Sequence, residues 1–177
     1  MKKISENPIS KKKYFIPDKI DDKANIDSFL SNHVDKKVIV VQGLGFVGAV
    51  MSLVCANSKS DEYAVIGIDL PNKNNYWKIA SINEGIFPVI ASDPKIDLYF
   101  NKAIKKKNFY ATYDPYVYSK ADFIIIDINL DVEKKSSLDG NLINFDVDLT
   151  YFKKAIQSIG EFCKEDCIIL VETTVPP

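Results

Sequence analysis

Residues 37–69 constrain this 177-residue chain more than any other stretch. They read KVIVVQGLGFVGAVMSLVCANSKSDEYAVIGID. Residues 38–41 are a continuous apolar run, too short for a helix and rich in β-branched side chains, which predicts a buried parallel strand. Gly43, Gly45 and Gly48 follow with the spacing G-x-G-x-x-G. Residues 46–56 are apolar and long enough for a helix. A second β-branched run, 63–68, ends in Asp69, 21 residues after Gly48. Strand, glycine turn, helix, strand and acid in this order predict the opening βαβ unit of an α/β sheet.

Each part of that unit has a chemical use. Gly43 lets the chain turn sharply off the strand. Gly45 carries no side chain, so a pyrophosphate can approach the backbone, and Gly48 lets the helix pack closely on the sheet. Unpaired N–H groups and the helix dipole at the start of residues 46–56 favour an anion. Asp69 suits a ribose diol and repels a 2′-phosphate, which favours NAD over NADP. The glycines could instead serve close packing alone, but their place between strand and helix favours a dinucleotide cradle.

Hydrophobic content of 46% and charged content of 27% exclude a disordered chain. A formal net charge of −1 argues against a nucleic-acid footprint. No apolar stretch approaches the roughly 20 residues of a membrane span, and the charged first 20 residues do not read as a signal peptide. Cys55, Cys163 and Cys167 are an odd count without C-x-x-C spacing, which fits inert thiols in a reducing cytoplasm. His33, the only histidine, has no second histidine or cysteine near it in sequence, so no metal site is expected. The lysine triplets at 11–13 and 105–107 read as solvated surface.

Residues 1–35 are polar and predict an extension without a clear strand, with a short helix around 27–30. Residues 70–75 read as a loop and 76–83 as a helix stopped by Gly85. Residues 96–104 have an amphipathic helical pattern, and 109–112 predict a short strand. Asp114 or Ser119 could cap a helical turn before the most apolar strand, 123–128, which is expected at the centre of the sheet. Residues 129–146 read as a long polar loop, 149–162 as a helix, and 167–171 as another buried strand. The alternation predicts one Rossmann-type, doubly wound parallel sheet over residues 36–177, with helices on both faces. Ligands of such sheets bind beyond the carboxyl ends of the strands. Those ends are expected at 43–48, Asp69, Asn129–Leu130 and 172–174.

Three pieces of this pattern resemble the N-terminal NAD-binding domain of the nucleotide-sugar 6-dehydrogenases, which act on UDP-glucose, UDP-N-acetylmannosamine or GDP-mannose. They are VVQGLGFVG with Asp69, the run Ile82-Asn83-Glu84-Gly85 with Pro88, and Glu172-Thr173-Thr174-Val175-Pro176-Pro177. The resemblance implies oxidation of a sugar C6 alcohol to a carboxylate with two NAD in succession, through a cysteine thioester. It implies that Gly43, Gly45, Phe46, Val47 and Gly48 hold the pyrophosphate and that Asp69, with Lys78 nearby, holds the adenosine ribose. By the same resemblance Thr173 and Thr174 lie near the nicotinamide, and Glu172 flanks the catalytic water region. Asn129 belongs to the cofactor crevice.

There are departures. Asn129-Leu130 replaces the family's Thr-Pro, and the loop after Asp69 is longer than usual, which bears on Lys78. The family pattern continues past Pro177 into a central helix, a sugar-binding domain and the nucleophilic cysteine, and none of the three cysteines here stands in a matching context. The expectation is therefore a cofactor half that binds NAD without turnover by itself. Its homodimer contact would lie in the central helix. Rivals remain. Tyr116 and Lys120 form the Y-x-x-x-K pair of short-chain dehydrogenases, but too soon after a glycine motif of different spacing. A methyltransferase using S-adenosylmethionine fits Gly48 and the 172–177 ending poorly. A non-catalytic module that binds or senses a nucleotide stays open.

Overall fold

Every strand of the central sheet is one of the short apolar runs expected from the sequence. The computed structural model describes residues 3–130 and 132–173. Its elements are β1 (Ile4–Glu6), β2 (Lys13–Phe15), α1 (Lys23–Ser31), β3 (Lys37–Gln42), α2 (Phe46–Ala56), β4 (Tyr63–Ile68), α3 (Tyr76–Asn83) and α4 (Lys95–Lys106). They continue with β5 (Phe109–Thr112), a 3-10 turn at Pro115–Lys120, β6 (Phe123–Ile126), β7 (Val132–Ser136), β8 (Leu142–Val147), α5 (Thr150–Phe162) and β9 (Ile168–Val171). Five strands form one parallel sheet in the order β5-β4-β3-β6-β9.

Alternation of side chains along these strands divides the core in two. Ile39, Val41, Val65, Phe109, Ala111 and Ile125 face α2, α3 and α4, where Leu53, Ile79, Ile82 and Phe100 meet them. Val38, Val40, Ala64, Ile66, Ile124 and Ile126 face the other way, onto Ile26 of α1, Val117 and Tyr118 of the 3-10 turn, and Ile159 of α5. Each fully buried aliphatic side chain contributes about 1.5–3 kcal/mol. Helices thus cover both faces, as a doubly wound α/β fold requires.

Local stop signals act where they were expected. Gly85 follows α3 at φ 78°, and the Ile86 N–H donates to the Ser81 carbonyl at 2.8 Å. The Asp114 carboxylate caps the 3-10 turn by accepting from the Tyr116 N–H at 3.0 Å.

Four expectations need correction. The polar first 35 residues do contain strands: β1 and β2 pair antiparallel. Each is three residues long with one buried side chain, too little for a periodic signal. Residues 129–146 are not a loop throughout, because β7 and β8 pair antiparallel within them. The apolar run expected to reach 128 ends as a strand at Ile126, and β3 rather than β6 holds the middle of the sheet. Finally β9 is an edge strand whose four residues are all exposed, between 43% and 60%. Apolar composition sets strand propensity, whereas burial depends on what packs alongside.

Candidate functional site

Strand register decides which residues meet at the carboxyl edge. Gln42 pairs with Ile68 on one side and Ile126 on the other, Ile126 pairs with Val171, and Ile68 with Thr112. The next residue of each strand therefore stands on one rim: Gly43, Asp69, Tyr113, Asp127 and Glu172. The rim includes three carboxylates and opens beside the first turn of α2.

The glycine turn packs against backbone at Gly43 and Gly48. Gly43 has φ 101°, and its N–H donates to the Ile68 carbonyl at 2.9 Å. A Cβ built on Gly43 would lie 2.3 Å from the Asp127 carbonyl oxygen, and one on Gly48 would lie 1.9 Å from the Gly43 carbonyl oxygen. No larger residue fits either place without moving main chain. A Cβ on Gly45 would meet nothing within 4 Å among the described residues. Gly45 therefore borders open space among them, and it provides no side-chain cap for α2. The N–H groups of Phe46, Val47 and Gly48 begin α2 and have no i−4 carbonyl partner within the helix. Phe46 and Val47 are themselves half exposed. Leu44, between the glycines, is fully buried against Gly67, where a Cβ would come within 2.4 Å of the Leu44 side chain. Leu44 thus pins the turn while its flanking backbone stays open.

Asp69 is buried at the end of β4. Its Oδ2 accepts from the Leu44 N–H at 3.1 Å and its Oδ1 from the Leu70 N–H at 2.7 Å, so the carboxylate is tied to the glycine turn. Lys78 of α3 brings its ammonium to 3.6 Å from Asp69 Oδ2 and donates to Asn75 Oδ1 at 3.0 Å. The longer loop after Asp69 thus still delivers Lys78 to the acid.

On the other side of the turn stands Asp127, which the sequence reading missed. Among the described residues, one of its oxygens is sealed from water without a hydrogen-bond partner, although the residue as a whole is only half-buried. Burial and the nearby Glu172 carboxylate push the Asp127 carboxyl above the ordinary range. The signal for it was the break of an isoleucine run by an acid, hidden because that run resumes at Ile128. Asn129, expected in the crevice, lies three residues beyond the strand end and is exposed. Glu172 is exposed on the rim, and its N–H donates to the Ile126 carbonyl at 2.9 Å. The Thr173 hydroxyl accepts from the Ile128 N–H at 3.2 Å and donates to the Ile126 carbonyl at 3.4 Å, which joins the β6 and β9 exits. Thr174 lies outside the described residues.

Tyr116, Lys120 and His33 are engaged with α1. The Tyr116 hydroxyl is bound to the Asp27 carboxylate at 3.1 Å, with Lys120 3.3 Å from the same acid, so this pair anchors α1. His33 Nδ1 lies 2.9 Å from the Phe29 carbonyl oxygen. Cys163 and Cys167 pack on the α5 side of the sheet. Cys55 sits on α2, where burial pushes its thiol up to about 11. Among the described residues no helix is long and apolar enough to cross a membrane.

Residues 37–177 match the family model described as UDP-glucose/GDP-mannose dehydrogenase family, NAD binding domain. The chain belongs to the UDP-glucose/GDP-mannose dehydrogenase family. A UDP-N-acetyl-D-mannosamine dehydrogenase of Methanococcus maripaludis is 30% identical over 149 residues, which cover 81% of this chain and 30% of that protein. The structure of a UDP-D-ManNAc dehydrogenase from Pyrococcus horikoshii superposes with a TM-score of 0.61 at 26% identity, covering 79% of this chain and 29% of that one. A GDP-mannose dehydrogenase from Pseudomonas aeruginosa gives 0.59 at 25% identity, covering 78% and 29%. The chain thus spans about 30% of the length of these dehydrogenases. Within the family it is the NAD-binding domain, which agrees with the glycine turn and the acid at the end of β4.

Proposed function

We propose that this chain binds NAD across the rim at Gly43, Asp69 and Glu172 and supplies the cofactor half of a nucleotide-sugar 6-dehydrogenase. The observation that carries this reading is the open space over Gly45 beside the uncapped first turn of α2. Those N–H groups suit the pyrophosphate, with Gly43, Gly45, Phe46, Val47 and Gly48 forming the cradle. Asp69 takes the adenosine ribose diol, and Lys78, 3.6 Å away, orients that acid. Thr173 borders the nicotinamide end together with Glu172 and Asn129. NAD held there would supply the hydride acceptor for a sugar C6 alcohol. Glu172 stands exposed on the rim, where a carboxylate can hold or take a proton from water or substrate.

The reading extends to a UDP- or GDP-linked sugar as substrate, carried to the uronate with two NAD, and family membership supports it. Completion needs a nucleophilic thiolate. Cys55 is held as a thiol, and Cys163 and Cys167 lie across the sheet from α2. This chain by itself therefore binds NAD without turning over the sugar. Titration calorimetry tests the reading. Wild type should bind NAD saturably and ignore S-adenosylmethionine, and Asp69→Ala should weaken NAD by about 1–3 kcal/mol. Unchanged affinity in that variant rejects the ribose role, and saturable binding of S-adenosylmethionine alone rejects the family function.

A further inference from the structure

We infer that residues 3–31 form a clasp that presets the ribose end of the dinucleotide site, with Ser5 as its positioning residue. The inference rests on the proposed role of Asp69. Ser5 is fully buried, and its hydroxyl works in both directions. It donates to the Lys73 carbonyl at 2.8 Å and accepts from the Trp77 N–H at 3.0 Å. Lys73 belongs to the loop that follows Asp69, and the Trp77 N–H is one of the orphan donors at the start of α3. The helix has no cap of its own there, because Asn75 makes no side-chain capping bond. Ser5 is thus an N-cap supplied from 72 residues away.

The consequence runs directly to the site. Lys78 is the residue after Trp77, and its ammonium stands 3.6 Å from Asp69. Fixing the first turn of α3 fixes where Lys78 begins. The same hairpin grips the far end of α3: the Tyr14 hydroxyl donates to Glu84 at 3.0 Å, and the Lys12 ammonium lies 2.6 Å from the same carboxylate. Behind the hairpin, Asp22 accepts from Thr112 at 2.6 Å and Tyr110 at 2.9 Å, which locks the clasp to β5. The family match begins at residue 37, so residues 3–31 lie outside it. Recognition residues within the family domain are therefore held by a segment that the match does not cover.

The test is affinity of the full chain for NAD, ADP-ribose and nicotinamide mononucleotide, which lacks the adenosine half. Ser5→Ala, checked by circular dichroism for native fold, should bind NAD and ADP-ribose about five- to tenfold more weakly, the scale of a lost cap. Binding of the mononucleotide should not change. In an Asp69→Asn background the Ser5→Ala loss should vanish, because Ser5 acts through Asp69. Wild-type affinity for ADP-ribose, equal loss for the mononucleotide, or full additivity with Asp69→Asn would overturn the clasp. Should Ser5→Ala not fold, Lys12→Ala is read in the same way from the exposed end of the grip, with a smaller loss expected and none overturning it. Failure of the underlying reading looks different: Asp69→Asn alone would then leave NAD affinity intact.

Discussion

A Cβ on Gly48 would stand 1.9 Å from the carbonyl oxygen of Gly43, while one on Gly45, three residues earlier, would touch nothing among the described residues. Two glycines of one motif therefore do different work, and alanine separates them. Gly48→Ala must push α2 off the turn and should destabilise the fold by about 3 kcal/mol or more, in the range of severe core overpacking. Gly45→Ala should keep its melting temperature and lose NAD affinity by about tenfold or more, since the new methyl group enters the space that a pyrophosphate would use. Thermal melts and NAD titrations of both variants check the split. Equal melting losses would show that Gly45 is also a packing glycine.

Asp127 gives stability a pH dependence. Its carboxyl titrates higher in the fold than in the unfolded chain, through burial first and the Glu172 charge second. For a raised group the unfolded chain loses its proton first as pH rises. The cost is absent below the unfolded value near 4 and complete once pH passes the folded value. Asp127→Asn should therefore melt higher than wild type at pH 7. The advantage should fade as pH falls towards 4. A gain that does not depend on pH would assign the effect to packing.

Lys78 and Asp69 should couple energetically. The two charges are 3.6 Å apart with both side chains largely out of water. A double-mutant cycle of Lys78→Met and Asp69→Asn, read by denaturant unfolding, should return a coupling of about 0.5–1 kcal/mol. Zero coupling would mean that Lys78 serves Asn75 alone, to which it donates at 3.0 Å.

Asp22 is the densest polar joint of the N-terminal segment. Its carboxylate accepts from Asn25, Tyr110 and Thr112, and its own N–H donates to Asp114. It also pushes the Tyr113 phenol up to about 12, where burial is the larger cause. Asp22→Ala leaves the buried hydroxyl of Thr112 without this acceptor and should cost about 2–4 kcal/mol of stability, measured in urea.

The opening βαβ unit was legible because its signals are short-range: β-branched runs, glycine spacing and an acid at a fixed distance. Asp69 and the glycines needed no tertiary information. Asp127 was not legible, since its place on the rim depends on β6 ending at Ile126, and isoleucines on both sides of it read as one longer strand. The hairpin β7–β8 hid behind Lys134, Lys135 and Asp146, whose charges read as loop. The clasp was invisible for another reason. Ser5 and Trp77 are joined by a hydrogen bond across 72 residues, and nothing in a polar three-residue strand announces such a partner.

The bare edge of β9 has a consequence for handling the chain. Ile168, Ile169, Leu170 and Val171 pair only with β6 among the described strands, and all four are exposed. Their outer N–H and C=O groups form a short apolar template of the kind that recruits further strands. Concentrated stocks should therefore self-associate through this window. A lysine at Ile168, on the most exposed of the four, is the substitution to choose for keeping the sample monodisperse.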